Sequence, residues 1–175
     1  MKKYFTRPSV RDLVLIAVLI GISVILRSLT IGTSFWKLSP GFLADSLIGW
    51  IAGPFWAGLG LAAGDVFGVL FRGAVSSPGM TVTAFIVGWL YGWAFYRRRL
   101  DRRSWRDWLF VLMIVSIIML LQTLILNSFW LSLMYNTPFK VLLLSRLPLL
   151  IQIPIRTILI MVFLPEIMKI KKLAY

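Results

Sequence analysis

The chain has 175 residues, of which 59% are hydrophobic and 14% charged, with a formal net charge of +13. That leaves too little polar surface to coat a soluble domain, so a membrane-embedded fold is predicted. Cysteine and histidine are both absent, which excludes disulfides, thiol nucleophiles, imidazole bases and metal centres built on either residue.

Four basic residues, Lys2, Lys3, Arg7 and Arg11, precede the first apolar run. The run continues to Ile31 without a small-x-small cleavage pattern, so it reads as a retained span rather than a removable leader. Apolar stretches bounded by Pro, Gly or charge place six spans near 13–31, 43–53, 55–71, 80–95, 108–133 and 147–168. With no break in composition, residues 1–175 are expected to form one all-α domain, a single six-helix integral membrane bundle.

Span one is apolar on every face and carries a small pair, Ala17 and Gly21, that either packs inside the bundle or receives a helix from another protein. The connection FWKLSPGF follows, with Trp36, Lys37 and Phe42. Span two is short and meets span three at Gly53-Pro54, which predicts a tight helical hairpin. Small-residue ladders, Gly60, Gly64 and Gly68 in span three and Ala84, Gly88 and Gly92 in span four, are explained by close helix packing. Asp65 either holds Arg27 or Arg156 in place or contacts a ligand.

Between spans four and five runs RRRLDRRSWR. Its six arginines, the four basic residues of the amino terminus, and Lys169, Lys171 and Lys172 make thirteen charges that an even number of spans puts on one side. The positive-inside rule makes that side, and so both termini, cytoplasmic, and the reading is topological rather than nucleic-acid binding. Six basic residues remain: Arg27, Lys37, Arg72, Lys140 and Arg146 near the outer face, and Arg156 deeper. Cations inside a membrane protein are costly and face a cavity or a partner, so this set suggests a cleft for an anion arriving from outside. Snorkelling to headgroups explains Arg72 and Lys140 equally.

On span five Thr123, Asn127, Trp130 and Met134 recur at helical spacing, ahead of Tyr135. An amide and an indole on one face suit the edge and plane of a heterocycle; helix-to-helix hydrogen bonding and an interfacial aromatic belt explain them as well. On span six Gln152 and Arg156 share a face that Ser145 and Leu149 extend, with Pro154 expected to kink the helix between them. The chain has no phosphate-binding loop, no nucleophile elbow and no acidic cluster for magnesium. It is therefore not read as an enzyme, and no cofactor is expected in it.

The segments TSFWKLSPGFLADSLIGWIAGPFWAGLGLAAGDVFGVLF, PGMTVTAFIVGWLYGW, LNSFWLSLMYNTPF and SRLPLLIQIPIRT together resemble the substrate-binding S components of energy-coupling-factor (ECF) vitamin transporters, and within them the folate type. The resemblance covers nearly the whole chain. It implies a bacterial plasma-membrane protein that binds folate from outside and delivers it by toppling in the bilayer. It implies as partners a membrane coupling protein (the T component) and two cytoplasmic ATPases, with Ala17 and Gly21 matching the docking motif of the first helix. Under it, Arg27, Lys37 and Arg146 meet the carboxylates, Trp36, Phe42 and Trp130 pack the ring, and Asn127 reads its edge; Asp65, Tyr135 and Arg156 complete the expected site. The chain departs from the folate pattern in having Lys37 in place of an arginine, Pro40 in place of a phenylalanine and Arg156 in place of a glutamine. Pantothenate or another anionic vitamin is the alternative ligand. A membrane enzyme or assembly factor acting on an anionic lipid is the alternative of another class.

Overall fold

The computed structural model describes residues 10–28, 31–32, 37–73 and 77–172. Helix α1 spans Val10–Ser28 and ends with Arg27 in its last turn, where a cation complements the helix dipole. The predicted first span ran three residues further. Instead Ile31–Gly32 (β1) pairs antiparallel with Lys37–Leu38 (β2), in the register Ile31 to Leu38 and Gly32 to Lys37. A β-branched residue followed by glycine ends a helix more readily than it extends one.

Helix α2, Gly41–Arg72, is interrupted at Gly53, whose φ of 77° and ψ of 176° are reachable essentially by glycine alone. In a straight helix Ile48 and Gly60 would stand about 18 Å apart. Here a Cβ placed on Gly60 would lie 3.5 Å from Cγ2 of Ile48, so the chain reverses at Gly53-Pro54. The predicted hairpin is present, with proline opening its second arm, where a missing N–H costs nothing. Both arms lie against α3, Pro78–Phe95. Gly49 abuts the backbone of Tyr91, Gly88 abuts the carbonyl of Ala57, and Gly92 abuts Gly53 and Pro54. Gly60 and Gly64 serve a different neighbour, receiving Ile16 and Ile20 of α1.

Helix α4, Trp105–Met119, starts at the cap Ser104, whose side chain accepts from the Asp107 N–H. It continues through a π-helical segment, Leu120–Leu126, into α5, Asn127–Tyr135. The predicted fifth span is thus one rod with a widened turn in the middle. The predicted sixth span, 147–168, is divided: a 3-10 turn covers Leu147–Ile151 and α7 covers Gln152–Lys172, and a separate helix ahead of it, α6, covers Phe139–Arg146. Pro148 causes the break, since it lacks an N–H and would collide with the carbonyl of Leu144 in a continuous helix. Pro154 therefore stands in the first turn of α7, where no donor is needed, and does not kink an interior. The proline inside that helix is Pro165.

Ile48, Tyr91, Phe95, Val115, Ile118, Ile160 and Met161 form the centre of the apolar core. Large apolar side chains such as Val14, Val18, Phe67, Leu133 and Phe163 point outward. The stretches 41–71, 105–135 and 139–169 are each long and apolar enough to cross a bilayer. The protein is an all-helical, multi-pass membrane protein whose apolar exterior is its lipid-facing surface. One end of the bundle carries Gly53, Tyr96 and the arginine loop. Arg27, Gly41, Asp65 and Pro78 lie at the other.

Candidate ligand site

At the end remote from the arginine loop, Arg27 Nη2 donates to Asp45 Oδ2 at 2.9 Å, and Ser23 Oγ donates to Asp45 Oδ1 at 2.7 Å. The side chains of Arg27 and Asp45 are 25% and 9% exposed. The guanidinium stem crosses Gly41, where even a methyl group would meet Arg27 Cγ. Arg27 is thus committed to a half-buried ion pair that fastens α1 to the first arm of α2. Its partner is Asp45, not Asp65 as one reading of the sequence had it. Asp65 Oδ2 instead accepts from Thr81 Oγ1 at 3.0 Å, tying the second arm of α2 to α3.

Arg156 is held differently. Its Nη2 donates to Gln152 Oε1 at 3.2 Å, the contact expected from residues four apart on one helix face. Its guanidinium carbon lies 5.0 Å from the centre of the Phe42 ring, and its Nε is buried without a hydrogen-bond partner among the described residues. Tyr91 is fully buried, and its backbone abuts Gly49, one turn beyond Asp45 on α2. Arg27 of α1, Phe42 and Asp45 of the first arm of α2, Tyr91 of α3, and Gln152 and Arg156 of α7 therefore form one polar nest around the Phe42 ring.

A second group gathers along the widened rod. Arg146 Nη1 donates to the carbonyl of Thr123 at 3.4 Å, within the π-helical segment, where backbone carbonyls lose their regular α-helical donors. Trp130 lies so close over Gly79 that any side chain there would collide with the indole. Trp130 Nε1 and Ser128 Oγ are buried and unpaired among the described residues. Each unpaired buried donor costs about 1–3 kcal/mol, a cost an acceptor on a bound molecule would remove. Asn127 is half-buried at the junction of the π segment and α5.

Other expected residues stand apart. Tyr135 is 65% exposed. Lys37 is placed by its backbone pairing with Gly32, while its side chain and the whole of Trp36 lie outside the described residues. Ser145 and Leu149 do not extend the Gln152–Arg156 face, because α6 and the 3-10 turn separate them from α7. Sequence reasoning missed Tyr91 and Ser128 as polar members. The one signal for Tyr91 was a phenol in the middle of a glycine-rich span.

A groove of about 150 Å³ is lined by Ser23, Arg27, Asp45, Ile48, Gly60 and Gly64, among others. It is a shallow surface recess with no enclosed space for a ligand. On α1, Ala17 and Gly21 face outward, and nothing lies within 4 Å of a Cβ placed on Gly21.

Comparison with known proteins adds three findings. Residues 11–164 match the family described as ECF transporter, substrate-specific component. Folate transporter FolT of Streptococcus mutans is 31% identical over 179 aligned positions, covering 99% of this chain and 96% of that protein, and FolT of Leuconostoc mesenteroides is 34% identical over 134, covering 76% and 70%. A crystal structure of FolT bound with folic acid superposes with a TM-score of 0.75 at 36% identity, covering 87% of this chain and 91% of that one.

Proposed function

The chain belongs to the substrate-specific components of ECF transporters, and from that premise we propose that its ligand is folate. It is a transporter subunit of the membrane, not an enzyme. The observation that carries the folate reading is the near full-length similarity to proteins named as folate transporters, together with the likeness to a chain solved with folic acid. The polar nests support the same reading. Folate has a flat pterin, which suits the faces of Phe42 and Trp130, a hydrogen-bonding edge, which suits Asn127 and Trp130 Nε1, and carboxylates, which suit cations.

Among those cations Arg156 and Arg146 are assigned the larger share of ligand charge, with Lys37 on the approach. Arg27 and Asp65 shape the site from behind it, Arg27 through Asp45 and Asp65 through Thr81. Tyr135 and Trp36 are assigned to the rim. Arg156 in place of a glutamine adds a delocalised, always-charged fork for a carboxylate.

The finer architecture is part of the proposal. Residues 1–175 form one domain of six spans, the two arms of α2 counting as two and α6 to α7 as one, with both termini cytoplasmic. The partners of an ECF module would be a membrane coupling protein and two cytoplasmic ATPases. The coupling protein docks on the outward face of α1 at Ala17 and Gly21, and the chain topples to release its ligand. Because the chain has no cysteine, single cysteines introduced at residue 99 or 140 give a clean labelling test of sidedness in intact cells: residue 140 should react with an impermeant maleimide and residue 99 should not.

A competition assay tests the ligand. Folate bound to the purified chain should be displaced by unlabelled folate and not by pantothenate at the same concentration. Equal displacement by pantothenate would overturn the folate assignment while leaving the family intact.

A further inference from the structure

The six arginines of the loop between α3 and α4 divide into two groups by what they touch. Arg98 stacks 3.6 Å from the centre of the Phe110 ring and pairs with Asp107 at 3.5 Å. Arg102 is more deeply committed. Its Nε donates to the carbonyl of Met161 at 3.1 Å, its Nη2 donates to the carbonyl of Val162, and its Nη1 pairs with Glu166 at 2.9 Å. Met161 is four residues before Pro165, which has no N–H to offer it, so Arg102 supplies the donor that the proline removes from α7. The Trp108 indole N–H donates in turn to the Arg102 carbonyl at 2.8 Å.

Arg99, Arg103 and Arg106 have none of this, and Arg97 only approaches the Tyr96 ring, at 5.2 Å from its centre. All four are exposed, and among the described residues no acid forms an ion pair with any of them. The acids of the loop are already engaged: Asp107 accepts from the Asp101 N–H and pairs with Arg98, while Asp101 accepts from the Arg103 N–H. Beside the four lie outward-facing indoles, Trp93 at 57% and Trp105 at 73% exposure. Exposed tryptophans at the end of an apolar exterior mark the level of the headgroups. The free guanidinium groups therefore stand where lipid phosphates are densest, and a guanidinium fork matches a phosphate in shape and charge.

We propose that Arg97, Arg99, Arg103 and Arg106 form a binding surface for anionic phospholipid headgroups, separate in role from Arg98 and Arg102, which hold the loop and α7 together. A membrane surface is favoured over an acidic protein because the patch is continuous with the lipid-facing apolar exterior rather than standing clear of it. The idea does not depend on which vitamin the protein binds.

Native mass spectrometry of the purified full chain, released from neutral detergent containing equal dioleoyl phosphatidylglycerol and dioleoyl phosphatidylcholine, tests it. The wild-type chain should retain phosphatidylglycerol preferentially. Two double variants, R97Q/R106Q and R99Q/R103Q, each keep enough positive charge to preserve insertion and are each expected to cut that preference about tenfold. R102Q should lower the melting temperature and leave the preference in place. Folate binding should be unchanged in both double variants, since they alter the end remote from the polar nests. Equal retention of the two lipids by the wild type, or undiminished preference in both double variants, would overturn the proposal. So would loss of the bound lipid to millimolar inorganic phosphate, which would mean a phosphate-ion site and not a lipid surface.

Discussion

Asp45 shows how one carboxylate can decide what a cation is for. With Asp45 and Ser23 in place, Arg27 closes a joint between α1 and α2; without them it would be a buried, uncompensated charge. Removing one partner of such a pair costs more than the pair contributes, on the order of 3 kcal/mol for a buried case and less for the quarter-exposed Arg27. Asp45→Asn is accordingly expected to lower the thermal midpoint of the detergent-solubilised chain by several degrees, and Arg27→Gln in the same background to recover part of that loss. Equal and additive losses would mean that the two do not act as a pair. Arg156 gives the complementary case, because its fixed contacts are a neutral amide and a ring face. Hydrogen bonds to charged groups contribute about 1.5–3 kcal/mol, so Arg156→Ala should weaken folate binding at least tenfold with little change in melting temperature. The sequence made both arginines visible as cations out of place, but it could not say which acid lay opposite. That pairing depends on the hairpin setting Asp45 rather than Asp65 against α1.

At the scale of elements, glycines determine how closely the helices approach, and glycine spacing was readable before the fold. Gly53 is the strictest, because its backbone conformation is closed to other residues and Tyr96 packs 3.2 Å from where a Cβ would stand. Gly53→Ala should cost roughly 1–3 kcal/mol and register as a lower melting temperature with weaker folate binding, since both arms of α2 help build the site. Gly79→Ala probes the site more locally. The added methyl must displace the Trp130 indole, so affinity should fall by about tenfold, on the order of one lost aromatic contact of 0.5–1.5 kcal/mol, while circular dichroism stays as in the wild type. What the sequence hid at this scale was the turn type. A π-helical segment at Leu120–Leu126 leaves no signature in hydrophobic periodicity, and the mainly apolar residues after Pro148 made a 3-10 turn and α7 read as one span, while the short helix α6 ahead of it was not anticipated.

For the whole molecule, charge and hydropathy were enough to place it in a membrane, because the exterior of the bundle is as apolar as its interior. They also separated its two ends, one holding the arginine loop and the other the polar nests. They gave no access to which surface meets a partner. On that point the outward-facing Ala17 and Gly21 support docking on α1. Gly21→Trp is expected to abolish ATP-driven folate uptake in a reconstituted complex while sparing binding by the isolated chain; loss of binding as well would assign these residues to the interior of the fold. The measurement that tests the central claim most directly is equilibrium titration of the purified chain, alone and without any ATPase, with radiolabelled folate. Saturable binding at one folate per chain, at least tenfold weaker in Arg156→Ala and unaltered in R99Q/R103Q, is the predicted result. Absence of saturable binding by a correctly folded chain would contradict it.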